Sequence, residues 1–304
     1  MNNRREFIKK TVAGVAFMSL PLSTFANKNE RSEKLIILHT NDVHSHIEPF
    51  PSTDKRFPSQ GGFAARAAVV QKIRCENKNV LLLDSGDIFQ GTPYFNFYGG
   101  KLELQLMSKM GYDAATLGNH EFDNGLNHLA EQIQYANFPF VVTNYEVKKT
   151  PLENKIFPWK IIQKGSLRIG IIGLGIRPDG LIASSNFGEV KYIDPLKVGD
   201  ETAEMLKTKK KCNLVIALSH LGLIMTTKID DIKLAQNSHY IDMILGGHTH
   251  TFLEQPVLEK NLLDKTVSIH QSGWGGVKME RIDMVFEKNK KRDRPTSTSQ
   301  LTLR

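Results

Sequence analysis

Two periodicities alternate along the chain from Lys34 onward. Short runs that are apolar at nearly every position ("KLIILHT", "NVLLLDS", "RIGIIGLG", "NLVIALS", "IDMILGG") are bounded by Gly, Asn, Asp and Ser. Such runs predict strands covered on both faces. Between them lie stretches whose apolar residues recur three and four apart, the spacing of a one-sided helix. These are "GGFAARAAVVQKIRCEN", "GKLELQLMSKMG" with Gly111 as its stop, "NHLAEQIQYAN", "PLKVGDETAEMLKTKKK" and "KIDDIKLAQNS". "YDAATLG" and "PFVVTN" predict two more strands, and "TVSIHQS" with "VKMERIDMVFE" predicts a β-hairpin or meander. Strands and helices in alternation predict an α/β protein with helices packed outside its sheets. No internal repeat is visible, and "GIIGLG" lacks the G-x-G-x-x-G spacing of a dinucleotide site.

Composition changes this picture little. The chain has 304 residues, 40% of them hydrophobic and 24% charged, which suits an ordinary globular body. The formal charge of +8 is concentrated at the ends: the first ten residues carry a net +3 and "EKNKKRDR" another +3. The body is close to balanced, so no nucleic-acid partner is expected. Cys75 and Cys212 are too few for a disulfide scaffold and are expected as buried free thiols.

The two ends read differently from the body. "NRREFIKK" is a basic start, "TVAGVAFMSLPL" a short apolar run, and "TFA" ends on a small residue, which predicts an export signal over residues 1–26. Arg4-Arg5 with Phe7 and Lys9 resembles the twin-arginine export motif, with Asn3 where Ser or Thr is usual. A basic arm followed by a core helix is the alternative. No other segment approaches the roughly 20 apolar residues that span a bilayer, so no stable membrane span is expected. Cleavage after Ala26 would place the protein in the periplasm or outside the cell. The body is expected over residues 27–287. The polar, Pro-containing end, residues 288–304, is expected to be a disordered basic tail.

Candidate chemistry collects where the strands stop. "LIILHTNDVHSH" places Asp42 and His44 past a strand end, and "VLLLDSGD" places Asp87. "AATLGNHEFD" places Asn119, His120 and Asp123, "VIALSHLG" places His220, and "MILGGHTHT" places His248 and His250. Ligand sites in layered α/β folds form at the carboxyl ends of strands. Carboxylate oxygens can bridge two cations, neutral imidazoles suit transition metals, and an amide oxygen completes a shell without adding charge. His248 and His250, two apart on an extended segment, would point to one side. One isolated histidine would read as a hydrogen-bonded structural residue; five strand ends converging on one chemistry point to a metal site.

In this order, "TNDVHSH", "DSGDIFQGT", "LGNHEFDNG", "SHLG" and "GGHTHT" resemble the 5′-nucleotidase branch of the calcineurin-like metallophosphoesterases, from about Leu35 to about Phe286. "QSGWGG" resembles the family's Q-A-G block, with Ser272 where Ala is usual. The resemblance implies a four-layered αββα sandwich with two divalent metal ions between the strand ends. It implies that Asp42, His44 and His250 hold one ion, that Asn119, His220 and His248 hold the other, and that Asp87 bridges both. It implies that His120, oriented by Asp123, acts on the substrate. Mixed nitrogen and oxygen donors suit zinc, manganese, iron or cobalt better than calcium or magnesium.

Other residues receive plainer readings. His39 is expected in the core or behind the ligands, His46 as lining the site, and Asn41 as an orienting neighbour. His128, His239 and His270 are expected to be structural, and Arg66 to lie on a helix surface. Phe95, Phe97, Tyr98 and Trp274 are read as packing or as an apolar wall near the site. The implied activity is hydrolysis of a small phosphoester, most readily a 5′-nucleotide. Nucleotide-hydrolysing relatives usually carry a second, substrate-binding domain beyond the metal domain; a separate chain supplying it is one expectation. Two other readings are a thiosulfohydrolase-like enzyme of sulfur oxidation and a metal-stabilised, non-catalytic subunit of an envelope complex.

Overall fold

The computed structural model describes residues 32–226, 228–287 and 295–304. The expected export signal, residues 1–26, lies outside the described residues. In chain order the strands are β1 (Ser32–Thr40), β2 (Val80–Asp84), β3 (Ala114–Ala115), β4 (Phe140–Val141), β5 (Tyr145–Glu146), β6 (Ile156–Phe157), β7 (Trp159–Lys164), β8 (Leu167–Leu174), β9 (Lys191–Tyr192), β10 (Leu214–Ser219), β11 (Met243–Gly246), β12 (Val257–Lys260), β13 (Thr266–His270), β14 (Lys278–Glu287) and β15 (Pro295–Thr302). The helices are α1 (Phe63–Glu76), α2 (Pro93–Tyr98), α3 (Lys101–Met110), α4 (Gly125–Gln132), α5 (Ser184–Phe187), α6 (Pro195–Glu204) and α7 (Asp231–Gln236).

Among the described residues one sheet runs β15-β14-β1-β2-β3-β4-β6 and a second runs β12-β13-β11-β10-β8-β7. Neighbours from β1 to β6 in the first sheet are parallel, as are β13, β11, β10 and β8 in the second. Alternate residues of one strand enter different cores. Leu35 and Ile37 of β1 pack with Leu81, Leu83, Ile169, Ile171, Leu214 and Ile216 between the sheets. Ile36 and Leu38 pack on the other face with Val70, Ile73, Leu104 and Met107 of α1 and α3. Val215, Ala217 and Ile244 face Ala203, Leu234 and Ala235 of α6 and α7. Three cores separate four layers, helix, sheet, sheet, helix, which is the αββα sandwich expected. Burial on both faces is why the strands read as unbroken apolar runs. Gly111 closes α3 in the left-handed conformation, φ 72°, as its position predicted.

Three expectations fail. β13 and β14 are not a hairpin: β13 pairs with β11 and β12, whereas β14 pairs with β1 and β15 in the other sheet. The glycine-rich turn between them carries the chain from one sheet to the other. The end of the chain is not a disordered tail throughout, nor does the body stop at residue 287. β15 pairs antiparallel with β14 from Lys278↔Thr302 to Met284↔Pro295. Its β-branched Thr residues suit an edge strand. Leu303 is fully buried, and its backbone donates to Val277 O and accepts from Gly61 N, each at 2.9 Å. Last, Cys75 is exposed and only Cys212 is buried; both are free. Among the described residues no helix is long and apolar enough to cross a membrane.

Candidate metal centre

The carboxyl ends of β1, β2 and β3 from one sheet meet those of β10 and β11 from the other. The loops after β1 and β2 are tied together: Asp42 N donates to Gly86 O at 2.9 Å and His44 N to Asp87 O at 3.0 Å. The second sheet is joined across the gap. The His248 N–H reaches both Asp42 carboxylate oxygens at 3.0 and 3.1 Å, and Ser85 Oγ donates to Leu245 O at 2.6 Å. Close approach here requires glycine. A Cβ on Gly118 would lie 2.2 Å from Asp87 Oδ1 and 2.7 Å from His220 Cε1.

All seven expected donors arrive at this junction. Asp42, His44, Asp87 and His250 each offer a ligand atom within 4.8 Å of the others, and so do Asp87, His220 and His248. Asp87 belongs to both groups. His250 Nε2 stands 3.3 Å from Asp42 Oδ1 and 3.1 Å from His44 Nε2. His220 Nε2 stands 3.1 Å from Asp87 Oδ2. Asn119 Oδ1 is 3.1 Å from His248 Nδ1, which adds it to the second group. His120 and Asp123 pair beside the groups, Nδ1 to Oδ2 at 2.8 Å, and the His120 backbone N–H holds Asp87 Oδ1 at 2.9 Å.

The backbone is strained where it presents these groups. Asp42, His44, Asp87, His248 and His250 all have left-handed φ values between 50° and 71°. Non-glycine residues enter that region at a cost, and they do so mainly at functional sites. This corrects the expected extended segment at "GGHTHT": His248 and His250 converge through left-handed bends, not through strand alternation. Gln271 fixes those bends by donating to Gly247 O at 2.7 Å and accepting from Thr249 Oγ1 and the Thr251 N–H.

The donor set suits cations. His220 Nδ1 lies 2.7 Å from Ser85 O and His44 Nδ1 3.2 Å from Gln90 O. A ring N–H on each Nδ1 leaves each Nε2 with a lone pair, the usual arrangement behind a metal ligand. His220 Nε2 is buried and makes no hydrogen bond of acceptable geometry. Burial lowers His44, and it lowers His248 to about 4, keeping both imidazoles neutral. Burial also acts to lower His220, but Asp87 and Asp42 outweigh it and push that group up to about 10. Burial alone would raise the Asp87 carboxyl; His220, His44 and His120 hold it well below the usual carboxylate range. The field between these groups attracts positive charge, which a cation among the carboxylates would supply. Nitrogen and oxygen donors together match zinc, manganese, iron or cobalt.

His120 stands apart electrostatically. The hydrogen bond His120 donates to Asp123 raises it, against burial, to about 9, so it carries a proton at neutral pH. His39 is fully buried and lies 2.9 Å from Ser85 Oγ, behind His220. His128, His239 and His270 contact Gly99 O, Asp200 and Glu280, away from the junction. Arg66 is not on a helix surface: it is fully buried, its guanidinium 4.4 Å from the Phe63 ring centre and packed against Gly276. Phe95 is core, whereas Phe97 and Tyr98 are exposed.

One residue of the site went unnoticed in the sequence. The buried Glu121 carboxylate accepts from the backbone N–H groups of Gly118, Ile88, Asp87 and Phe89 at 2.6, 2.7, 3.0 and 3.2 Å. It clamps the turn after β3 to the loop that carries Asp87.

Residues 35–252 match the family described as Calcineurin-like phosphoesterase. Among curated relatives, the snake venom 5′-nucleotidase of Naja atra is 38% identical over 234 residues, covering 73% of this chain and 42% of its own length. Among solved structures, a 5′-nucleotidase precursor from Thermus thermophilus superposes with a TM-score of 0.79 at 31% identity, covering 89% of this chain and 55% of that one. The NAD nucleotidase of Haemophilus influenzae gives 0.79 at 29% identity, covering 90% and 57%. The chain thus spans about half the length of these relatives or less.

Proposed function

Because the chain belongs to the calcineurin-like phosphoesterase family, we propose that it is a metal-dependent hydrolase of phosphate monoesters, with 5′-nucleotides as the favoured class. The observation that carries this reading is the Asp87 carboxylate shared by two groups of donors. In the proposed arrangement Asp42, His44 and His250 would hold one ion and Asn119, His220 and His248 the other, with Asp87 available to both. Two bound cations would supply Lewis acidity to the phosphoryl group and to an attacking water.

The protein's own groups do the rest. Ser85 O and Gln90 O hold His220 and His44 in the tautomer that presents Nε2. Asp123 holds His120 by Nδ1, which leaves the protonated Nε2 to face the phosphoester. His120 stabilises charge building on the phosphoryl oxygens and gives its proton to the departing alkoxide. Asp123 keeps that proton in place before transfer by favouring the imidazolium.

The test is phosphate release from AMP and p-nitrophenyl phosphate, and p-nitrophenol release from bis-p-nitrophenyl phosphate, after chelation and addition of single metals. Release from the two monoesters that depends on added manganese, zinc, iron or cobalt is expected. Silence on all three substrates with every metal contradicts the reading. Export by the twin-arginine route is part of the proposal and rests on Arg4, Arg5 and the apolar run after them. Replacing both arginines by lysine should leave the protein in the cytoplasmic fraction; unchanged distribution would remove that part alone.

A further inference from the structure

On the outer face of the first sheet, α1 and α3 pack side by side and leave a groove between them. Its volume is about 690 Å³, within the range of small-ligand pockets. Phe63 and Val70 form the floor and belong to the buried core. Ala64 and Ala67 make one wall, and Leu106 and Met110 of α3 the other. The two alanines lie three apart on one helical face, and their short side chains leave the space that a larger residue would fill. The ends of the groove differ in charge. At one end lies Glu48, whose carboxylate accepts from the Tyr94 hydroxyl at 3.2 Å. At the other lie Arg74 and Lys109, where both helices finish. Arg74 is fixed there: its guanidinium donates to Met110 O and, at 2.6 Å, to Gly111 O. The Asp113 carboxylate, 3.9 Å from Arg74, is already held by Lys164 at 2.7 Å. Lys109 is exposed and, among the described residues, has no ion-pair partner. This end is therefore left with an excess of positive charge.

The groove follows α1 from Ala64 to Arg74, a rise of about 15 Å at roughly 1.5 Å per residue. A flexible alkyl chain suits an apolar trough of that length, and the burial of each methylene favours its entry. The charged lining residues stand only at the ends. That points to a ligand with one charged head; a partner helix would be met by charge along both rims. Arg74 and Lys109 attract an anionic head, and Glu48 at the far end repels it, which sets the direction. We propose that the groove between α1 and α3 binds a fatty-acid carboxylate, with its head at Arg74 and Lys109 and its chain running past Ala67 and Leu106 toward Pro49. None of the candidate metal ligands lines the groove, so the proposal stands apart from the hydrolase reading.

The test uses the delipidated protein and titration calorimetry with laurate below its micelle concentration. One saturable site is expected. Myristate, two methylenes longer, should bind roughly tenfold tighter. Dodecyltrimethylammonium, with a similar chain and the opposite head, should bind about tenfold more weakly than laurate. Ala67→Phe fills the trough and should abolish laurate binding while the thermal unfolding midpoint holds. Lys109→Glu, at an exposed position, should weaken laurate about tenfold and narrow its advantage over the cationic amphiphile. Cys75 lines the same groove and is exposed, whereas Cys212 is buried. Bound laurate should therefore slow alkylation of Cys75 by iodoacetamide in step with occupancy. No saturable binding, equal affinity for the two heads, or laurate binding that leaves Cys75 unprotected and ignores Ala67→Phe would overturn the site. So would a chain that binds no laurate but dimerises through a contact that Ala67→Phe breaks.

Discussion

The histidines of the centre divide by charge. Burial keeps His44 and His248 neutral, whereas Asp123 holds a proton on His120 and the Asp87 and Asp42 carboxylates raise His220. If His120 is the acid, His120→Ala should lower kcat about 10²- to 10⁴-fold while both ions remain bound, as metal analysis of the purified variant would show. Metal content falling in step with activity would make His120 a ligand or a structural residue instead. Glu121 offers a second prediction. Its four backbone partners hold the Asp87 loop, so Glu121→Gln should weaken metal binding about 10- to 100-fold, read by competition with a chelator. Unchanged affinity would contradict that role. The candidate residues of the centre were legible as Asp, Asn and His side chains just past strand ends; which seven of them would share the ions came only with the family resemblance. Glu121 was not legible: a glutamate in a loop reads as solvated charge, and only the fold shows four N–H groups aimed at it.

Among the elements, strands buried on both faces announced themselves; edge strands and crossings did not. β1, β2, β8, β10 and β11 are the apolar runs of the sequence, and they deliver most of the site. β7 and β12 lie at edges, alternate weakly and were not foreseen. The partners of β13 and β14 were misassigned because alternation fixes a strand's faces but not its neighbour. β15 is polar because it is an edge, and its tether is Leu303. Leu303→Ala should therefore cost about 2–5 kcal/mol of unfolding free energy, measured by denaturant titration. A loss near zero would mean that β15 adds nothing to the sandwich. The bends at His248 and His250 were illegible because the bias of histidine toward left-handed φ values is too weak to place a bend at one position.

For the molecule as a whole, the sandwich matters because it brings the carboxyl ends of two sheets to one seam. Neither sheet owns the centre: Asp42, His44, Asp87 and Asn119 come from one, His220, His248 and His250 from the other. Metal binding should therefore tie the sheets together, and the ligand-bound state should gain stability by mass action. The most direct measurement is a crystal soaked in manganese and examined by anomalous diffraction. Two neighbouring peaks are expected, with the Asp87 carboxylate between them and three further donors on each. A single peak, or a pair with Asp87 turned away from one of them, would contradict the two-ion centre on which the hydrolase proposal stands.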